Sequence, residues 1–465
     1  MLRLRPAVLV VLVAIVTSAC GGASSQAVDA AVETDGYAIV DVSVVDVERG
    51  VVAPGQTVIV AGDLIEHIGA TGETEIASDA VTIDGEGLFL MPGLVDAHVH
   101  FFDAPVFGRV MIANGVLLVR DMAMQTDQAV ALRDQLNGGD IPGPEMIVTG
   151  IILDGDPPQV PDVSLALGTP DEGRAAVRQQ AEAGVDMIKV YTRLEADTFL
   201  AIVDEAEKLG IPAVGHVPES MYIEDAAAAG LASSEHLHGF DKVIGKLLGE
   251  PVDLSYRGIG ADAGYLLRLD AVDLQDLQDV FVRLRESGLT VCPTVVTFKA
   301  GARLDAVRAG DFAHSEYISQ TVLDIWGSQW TEQDQLPDAM WQKWAQMVQL
   351  LSQAGVPLMI GSDLIAPGVI PGFSVHEEMA LWQDAGIAPA DVLRSATIVP
   401  TEFMGFDDRL GTVAEGKTAS LVLVASNPLA DVRNAEQIEG VFQRGRYFSR
   451  DDLDDLLAQA TELAG

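Results

Sequence analysis

Eight apolar, β-rich runs, most of them separated by stretches of helical texture, constrain this chain more than any other feature. They are Leu94–His100, Gly115–Asp121, Glu145–Gly150, Val185–Tyr191, Ile211–Val217, Leu231–Leu237, Leu289–Val296 and Val356–Asp363. Segments such as "PDEGRAAVRQQAEAG" and "EADTFLAIVDEAEKLG" lie between them. Repeated βα units predict an α/β fold with a parallel sheet, and eight of them fit a closed (β/α)8 barrel of the TIM type. The barrel is expected over residues 91–405. Residues 256–288 and 299–353 are long for connections and largely helical, and they read as insertions flanking the mouth. The second holds Trp326, Trp330, Trp341 and Trp344, whose commoner use is to pack an inserted helical pair rather than to line a pocket.

On either side of this region the texture changes to short alternating strands, "AIVDVSVVDV" and "QTVIVAGDLIEHIG" before it and "LGTVAEGKTASLVLV" after it. The ends of a domain often lie close together, so segments 37–90 and 406–450 are expected to pair as one small β-sandwich. An acidic helix over 451–465 follows. At the other end, Arg3 and Arg5 precede the apolar run Pro6–Ala19, which is shorter than the ~20 residues a membrane span needs. Residues 1–20 read as a secretory signal. Cys20 after Ser18-Ala19 resembles a bacterial lipoprotein cleavage site, with Thr17 where that pattern usually has Leu. The expected protein is therefore exported and held to the cell envelope by a lipid on Cys20, with residues 21–36 as a flexible tether.

A net charge of −41, from 69 acidic and 28 basic residues, excludes ordinary nucleic-acid binding, which needs Lys and Arg against phosphate. The only cysteines are Cys20 and Cys292, so the chain is no disulfide scaffold. Cys292, on the seventh run, reads as a small buried apolar residue. The remaining partner class is a small-molecule substrate, with membrane contact only through Cys20 and room left for a homo-oligomer.

The chemistry gathers at the ends of the runs. In "MPGLVDAHVHFF", His98 and His100 are two apart and point to the same side of a strand. Lys189 in "GVDMIKVY", His216 in "IPAVGHVP", His236 in "LASSEHLHG" and Asp363 in "VPLMIGSD" each end an apolar run. The C-terminal ends of barrel strands are where catalytic residues sit. Imidazole and carboxylate suit zinc and similar divalent ions. A buried lysine near cations loses its proton readily and can add carbon dioxide, giving a carbamate able to bridge two ions. Two divalent ions, zinc being the expected metal, can hold a hydroxide between them, and Asp363 can accept its proton.

These motifs resemble the amidohydrolase superfamily in order: "PGLVDAHVH", "IKVY", "VGHVP", "EHLHG", "GSD" and the return "ATIVPTEFMG…LGTVAEGKTASLVLV". The resemblance spans nearly all of the mature chain and departs at Ser420, where the family usually has Asp. It implies that His98, His100 and Asp363 bind one metal, that His216 and His236 bind the other, and that carboxylated Lys189 bridges them. The set is similar to the imidazolonepropionase-related and prolidase-like branch, which implies cleavage of a dipeptide or N-acyl amino acid. Hydrolysis of a cyclic amide, lactone or ester by the same centre is the alternative, and a non-catalytic ligand-binding lipoprotein is a further one. Tyr191, His238 and His376 are candidate substrate contacts, against packing for Tyr191 and a helix start for His376. Arg120 is expected to pair structurally with an acid, and His67 and His314 to lie on the surface.

Overall fold

The computed structural model describes residues 36–250, 252, 263–329, 336–364 and 366–465. The signal, Cys20, nearly all of the tether and Trp330 lie outside the described residues.

The N-terminal strands are β1 (Tyr37–Asp46), β2 (Val51–Ala61), β3 (Leu64–Ala70), β4 (Val81–Asp84) and β5 (Phe89–Pro92). The parallel region follows with β6 (Leu94–Val99), β7 (Val116–Asp121), β8 (Glu145–Val148), β9 (Ile152–Gly155), β10 (Ser164–Leu167), β11 (Ile188–Val190), β12 (Ala213–Gly215), β13 (Leu231–Glu235) and β14 (Thr290–Cys292). The chain then returns through β15 (Leu421–Val424), β16 (Ile438–Gln443) and β17 (Arg446–Ser449).

The two ends of the chain join as one eight-stranded sheet, ordered β17–β16–β15–β5–β1–β2–β3 with β4 beside β1. The seam is β15 antiparallel to β5, with Leu421 opposite Pro92 and Val424 opposite Phe89. Ile39, Val58, Ile65, Leu90, Leu421, Leu423 and Phe442 bury one apolar cluster there. The helix Arg450–Ala464 follows β17 and packs on the helix Ala104–Ala113. Ser449 opens it with a reciprocal cap to Asp452. No described helix is long and apolar enough to cross a membrane.

Apart from β10, whose Leu165 and Ala166 are exposed, the strands of the parallel region are nearly all buried, as expected for strands covered on both faces. β6, β7 and β8 are parallel neighbours, and so are β11, β12, β13 and β14. Backbone hydrogen bonds carry on across the gaps between these two sheets. Asp186 N donates to Val148 O at 2.9 Å, linking β8 to the approach to β11. On the other side Leu358 bridges Val291 in β14, and Leu364 bridges Val99 in β6. The result is a TIM-barrel-like α/β arrangement with the carboxyl ends of its strands on one side.

Two features differ from the sequence expectation. The eighth run forms a single bridge, Leu358 to Val291, with Leu364 just past it bridging Val99, and Ser362 N donates to the Asp96 carboxylate at 2.9 Å instead of to a backbone carbonyl. The connection after β8 carries an extra parallel pair, β9 and β10, with Leu153 of β9 beside Val190 of β11. In the inserted helices Trp344 is buried and stacks on Phe298 at 4.1 Å, and Trp326 is buried near Phe312.

Candidate metal centre

His98, His100, Lys189, His216, His236 and Asp363 converge at the carboxyl ends of the parallel strands. Asp363 Oδ1 lies 3.4 Å from both His98 Nε2 and His100 Nε2, and its Oδ2 lies 3.9 Å from His236 Nδ1. The His98 and His236 rings are 4.5 Å apart, and the His216 and His236 rings 5.0 Å. Two of these residues take left-handed backbone, His236 at φ 57° and Asp363 at φ 56°. Such backbone is costly for non-glycine residues and concentrates at functional sites. At His236 it comes directly after the last residue of β13.

Three imidazoles have Nδ1 anchored, and in His236 this is also the nitrogen nearest Asp363. His98 Nδ1 donates to Glu235 Oε2 at 2.9 Å. His216 Nδ1 meets Thr192 Oγ1 at 3.2 Å, and His236 Nδ1 meets Thr294 Oγ1 at 2.7 Å. The opposite nitrogens of His98 and His216, both nitrogens of His100, and Asp363 Oδ1 are buried without a hydrogen-bond partner. Buried polar atoms are ordinarily paired, and an unpaired group calls for a specific cause such as an ion. Burial holds His98, His216 and His236 well below the usual imidazole range. They are therefore neutral and able to donate a lone pair. The atoms of His98, His236 and Asp363 lie close enough to share one cation. Donor set, orphaned atoms and protonation state together fit a divalent metal.

Lys189 is buried, and burial pushes its amine down to about 8, with the like charge of Arg120 adding to the effect and Glu235 and Asp363 opposing it. No carboxylate among the described residues lies within salt-bridge distance of its Nζ. Tyr191 and His238 stack on His216, at 4.0 Å and 4.1 Å. The Tyr191 hydroxyl is buried without a partner. His376 is not at this site. Its Nε2 bonds the carbonyl of Asn114 at 2.9 Å, near the entry to β7 and so at the opposite end of the strands. Nearness to Asp363 in sequence does not become nearness in space, because the loop after Asp363 runs back to that end before the helix Phe373–Asp384 starts.

A supporting layer escapes a residue-by-residue reading. Arg120 Nη2 donates to both oxygens of Glu235 at 3.0 and 2.9 Å, Nη1 to Ser233 Oγ, and Nε to Ala97 O. Ser233 Oγ donates to Glu235 Oε1 at 2.6 Å. The signal for Glu235 is strand alternation, which puts Ser233 and Glu235 on one face of β13. Thr192 and Thr294 carry no such signal. Cys292 is buried, as its place on an apolar run implies.

The fold and these residues define a TIM-barrel-like α/β protein with a candidate metal site at the carboxyl ends of its strands. The amidohydrolase family model matches residues 89–447, and the chain belongs to that family. Membership makes it a hydrolase of carbon–nitrogen bonds. Among solved structures, it is similar to a bottromycin amidohydrolase, with 24% identity, a TM-score of 0.75, and 93% of this chain and 92% of that chain covered. A Xaa-Pro dipeptidase with bound methionine in its active site is 20% identical, with a TM-score of 0.64 over 89% of this chain and all of the other. A molinate hydrolase is 18% identical, with a TM-score of 0.64 over 90% and 96%. At these identities the likenesses speak to the fold alone. No curated protein sequence matches the chain.

Proposed function

We propose that this chain is an exported amidohydrolase with a two-metal centre, which cleaves an amide bond in a small molecule, a dipeptide or an N-acyl amino acid. The observation that carries the reading is the set of orphaned, buried polar atoms on His98, His100, His216 and Asp363, beside a buried Lys189 whose amine has no ion-pair partner among the described residues. His98, His100 and Asp363 would hold one ion, and His216 and His236 the other. Lys189 would join them after its Nζ lone pair bonds the carbon of carbon dioxide and releases a proton. Bound divalent ions, zinc in the first instance, supply an acidified water and polarise the substrate carbonyl. Asp363 takes a proton on a carboxylate oxygen and returns it to the leaving nitrogen. Tyr191, with its hydroxyl free to donate, holds a substrate oxygen, and His238 lines the same wall through its stack on His216.

The substrate class draws support from the branch resemblance and from the dipeptidase among the structural neighbours. Export and a lipid on Cys20 rest on the N-terminal sequence. The −41 charge supports a partner list without nucleic acid, and a homo-oligomer is compatible with all of this.

The test is metal removal followed by a screen of dipeptides and N-acyl amino acids. Chelation should abolish turnover, and zinc or manganese with bicarbonate should restore it. Asp363→Asn should retain metal and lose kcat by at least about 100-fold, the scale of general-base catalysis. Full turnover by verified metal-free protein would overturn the mechanism. Turnover of only cyclic amides, lactones or esters would move the substrate class and leave the centre standing.

A further inference from the structure

The imidazoles assigned to the two metal positions are backed by different chemistry. His98 donates its Nδ1–H to a carboxylate, Glu235, and His100 has no partner on either nitrogen, while His216 Nδ1 meets the hydroxyl of Thr192 and His236 Nδ1 that of Thr294, with Asp363 Oδ2 3.9 Å away. We propose that Glu235 is a positioning residue that makes the His98–His100–Asp363 position the tighter of two unequal metal positions. The inference rests on the two-metal reading above.

The argument is one of second-layer donors. A carboxylate behind a ligating imidazole fixes its tautomer and orientation and strengthens the lone pair that faces the ion, and removing such a partner costs about 10–100-fold in affinity. A hydroxyl fixes the ring but brings no charge. Glu235 is also held more firmly than either threonine. Arg120 reaches both its oxygens, Ser233 reaches Oε1, and all three side chains are fully buried. Arg120 supplies the opposite charge that a buried carboxylate needs, and it is itself fixed by the carbonyl of Ala97 at 2.6 Å, one residue before His98. The clamp thus ties β7, β13 and β6 into one unit. At the other position, Thr192 and Thr294 each contribute one contact. Those contacts sit on residues that follow β11 and β14, where the chain is already leaving the strand.

The test is a titration of metal-free full-length protein with zinc in bicarbonate buffer, followed by calorimetry and by metal content after graded dialysis. Two ions per chain are expected, taken up in two steps, with one ion surviving dialysis that removes the other. Glu235→Gln should weaken the tight step by about 10–100-fold and leave the weak step in place. Thr192→Val should weaken only the weak step, and this nearly isosteric variant keeps the test decisive if Glu235→Gln fails to fold. Two ions bound with one affinity, or Thr192→Val acting on the tight step, would overturn the inference while leaving the two-metal reading intact. Uptake of a single ion or none would overturn both.

Discussion

Gly215 shows how much of the site depends on one missing side chain. It sits at φ 128° at the end of β12, and a Cβ there would collide with the Val190 carbonyl oxygen and lie 2.8 Å from Lys189 Cδ. The Lys189 stem passes through the space that any other residue would fill. Gly215→Ala is therefore expected to cost about 1–3 kcal/mol of stability through backbone strain. It should also displace Lys189 and reduce bound metal from two ions towards one. A variant with wild-type melting temperature and full metal content would show that Lys189 can be held another way. At this scale the proposed ligands are legible because each is a polar residue ending an apolar run, a pattern that hydrogen bonding within a core rarely produces. Their partners are not. Glu235 lies 137 positions from His98, and only the closing of the sheet brings the two together. His376 was misplaced for the converse reason, since it is 13 residues from Asp363 in sequence yet belongs to the other end of the strands.

Among the elements, the helix Phe373–Asp384 and the helix Val295–Gly301 are joined by a buried acid that no sequence pattern flags. Glu378 Oε1 accepts from Val295 N at 2.9 Å and Trp382 Nε1 at 2.7 Å, and Oε2 accepts from Val296 N at 2.6 Å. It thereby satisfies orphan amides at the start of the second helix. Burial pushes its carboxyl up to about 7, against the pull of these three donors. An unfolded glutamate titrates near ~4.3. Between the two values the unfolded chain has lost this proton and the folded chain has kept it. The group's contribution to stability therefore falls as pH rises through that window and is flat on either side, by an amount on the order of 3 kcal/mol. Comparing melting temperatures of the wild type and Glu378→Gln from pH 4 to 8 isolates it. The difference between them should shift across the window in the direction that disfavours the wild type at higher pH, and a constant difference would refute the assignment. The βα alternation itself was readable because buried parallel strands are continuous apolar runs. The pair β9 and β10 was not, since two four-residue strands, of which only β9 adjoins β11, leave too short a pattern to separate from a loop.

For the whole molecule the dominant quantity is charge. Even if all 28 basic residues each neutralised one acid, 69 − 28 = 41 acidic residues would remain without a basic counterpart. Several basic residues are in fact shared among acids or spent inside. Arg174 serves both Asp204 and Glu205, while Arg120 is consumed by buried Glu235. Salt acts on such a surface in two opposed ways. It weakens exposed pairs such as Lys208–Asp204, which contribute little, and it screens the repulsion among the acids left over. With unpaired acids outnumbering pairs, the second effect should win. The Debye length falls from about 30 Å at 0.01 M to about 8 Å at 0.15 M and about 3 Å at 1 M, so most long-range repulsion is removed at the low end. The melting temperature should accordingly rise with sodium chloride, steeply up to roughly 0.2 M and gently beyond. Sucrose, which is excluded from the surface without screening charge, should lack that steep first phase. The buried centre should respond differently, because its charges are shielded from the solvent ions that screen the exterior. Metal content after dialysis should stay level across the same salt range while the melting temperature climbs. A melting temperature that falls with salt would mean that the exposed pairs, and not the surplus acids, govern the surface.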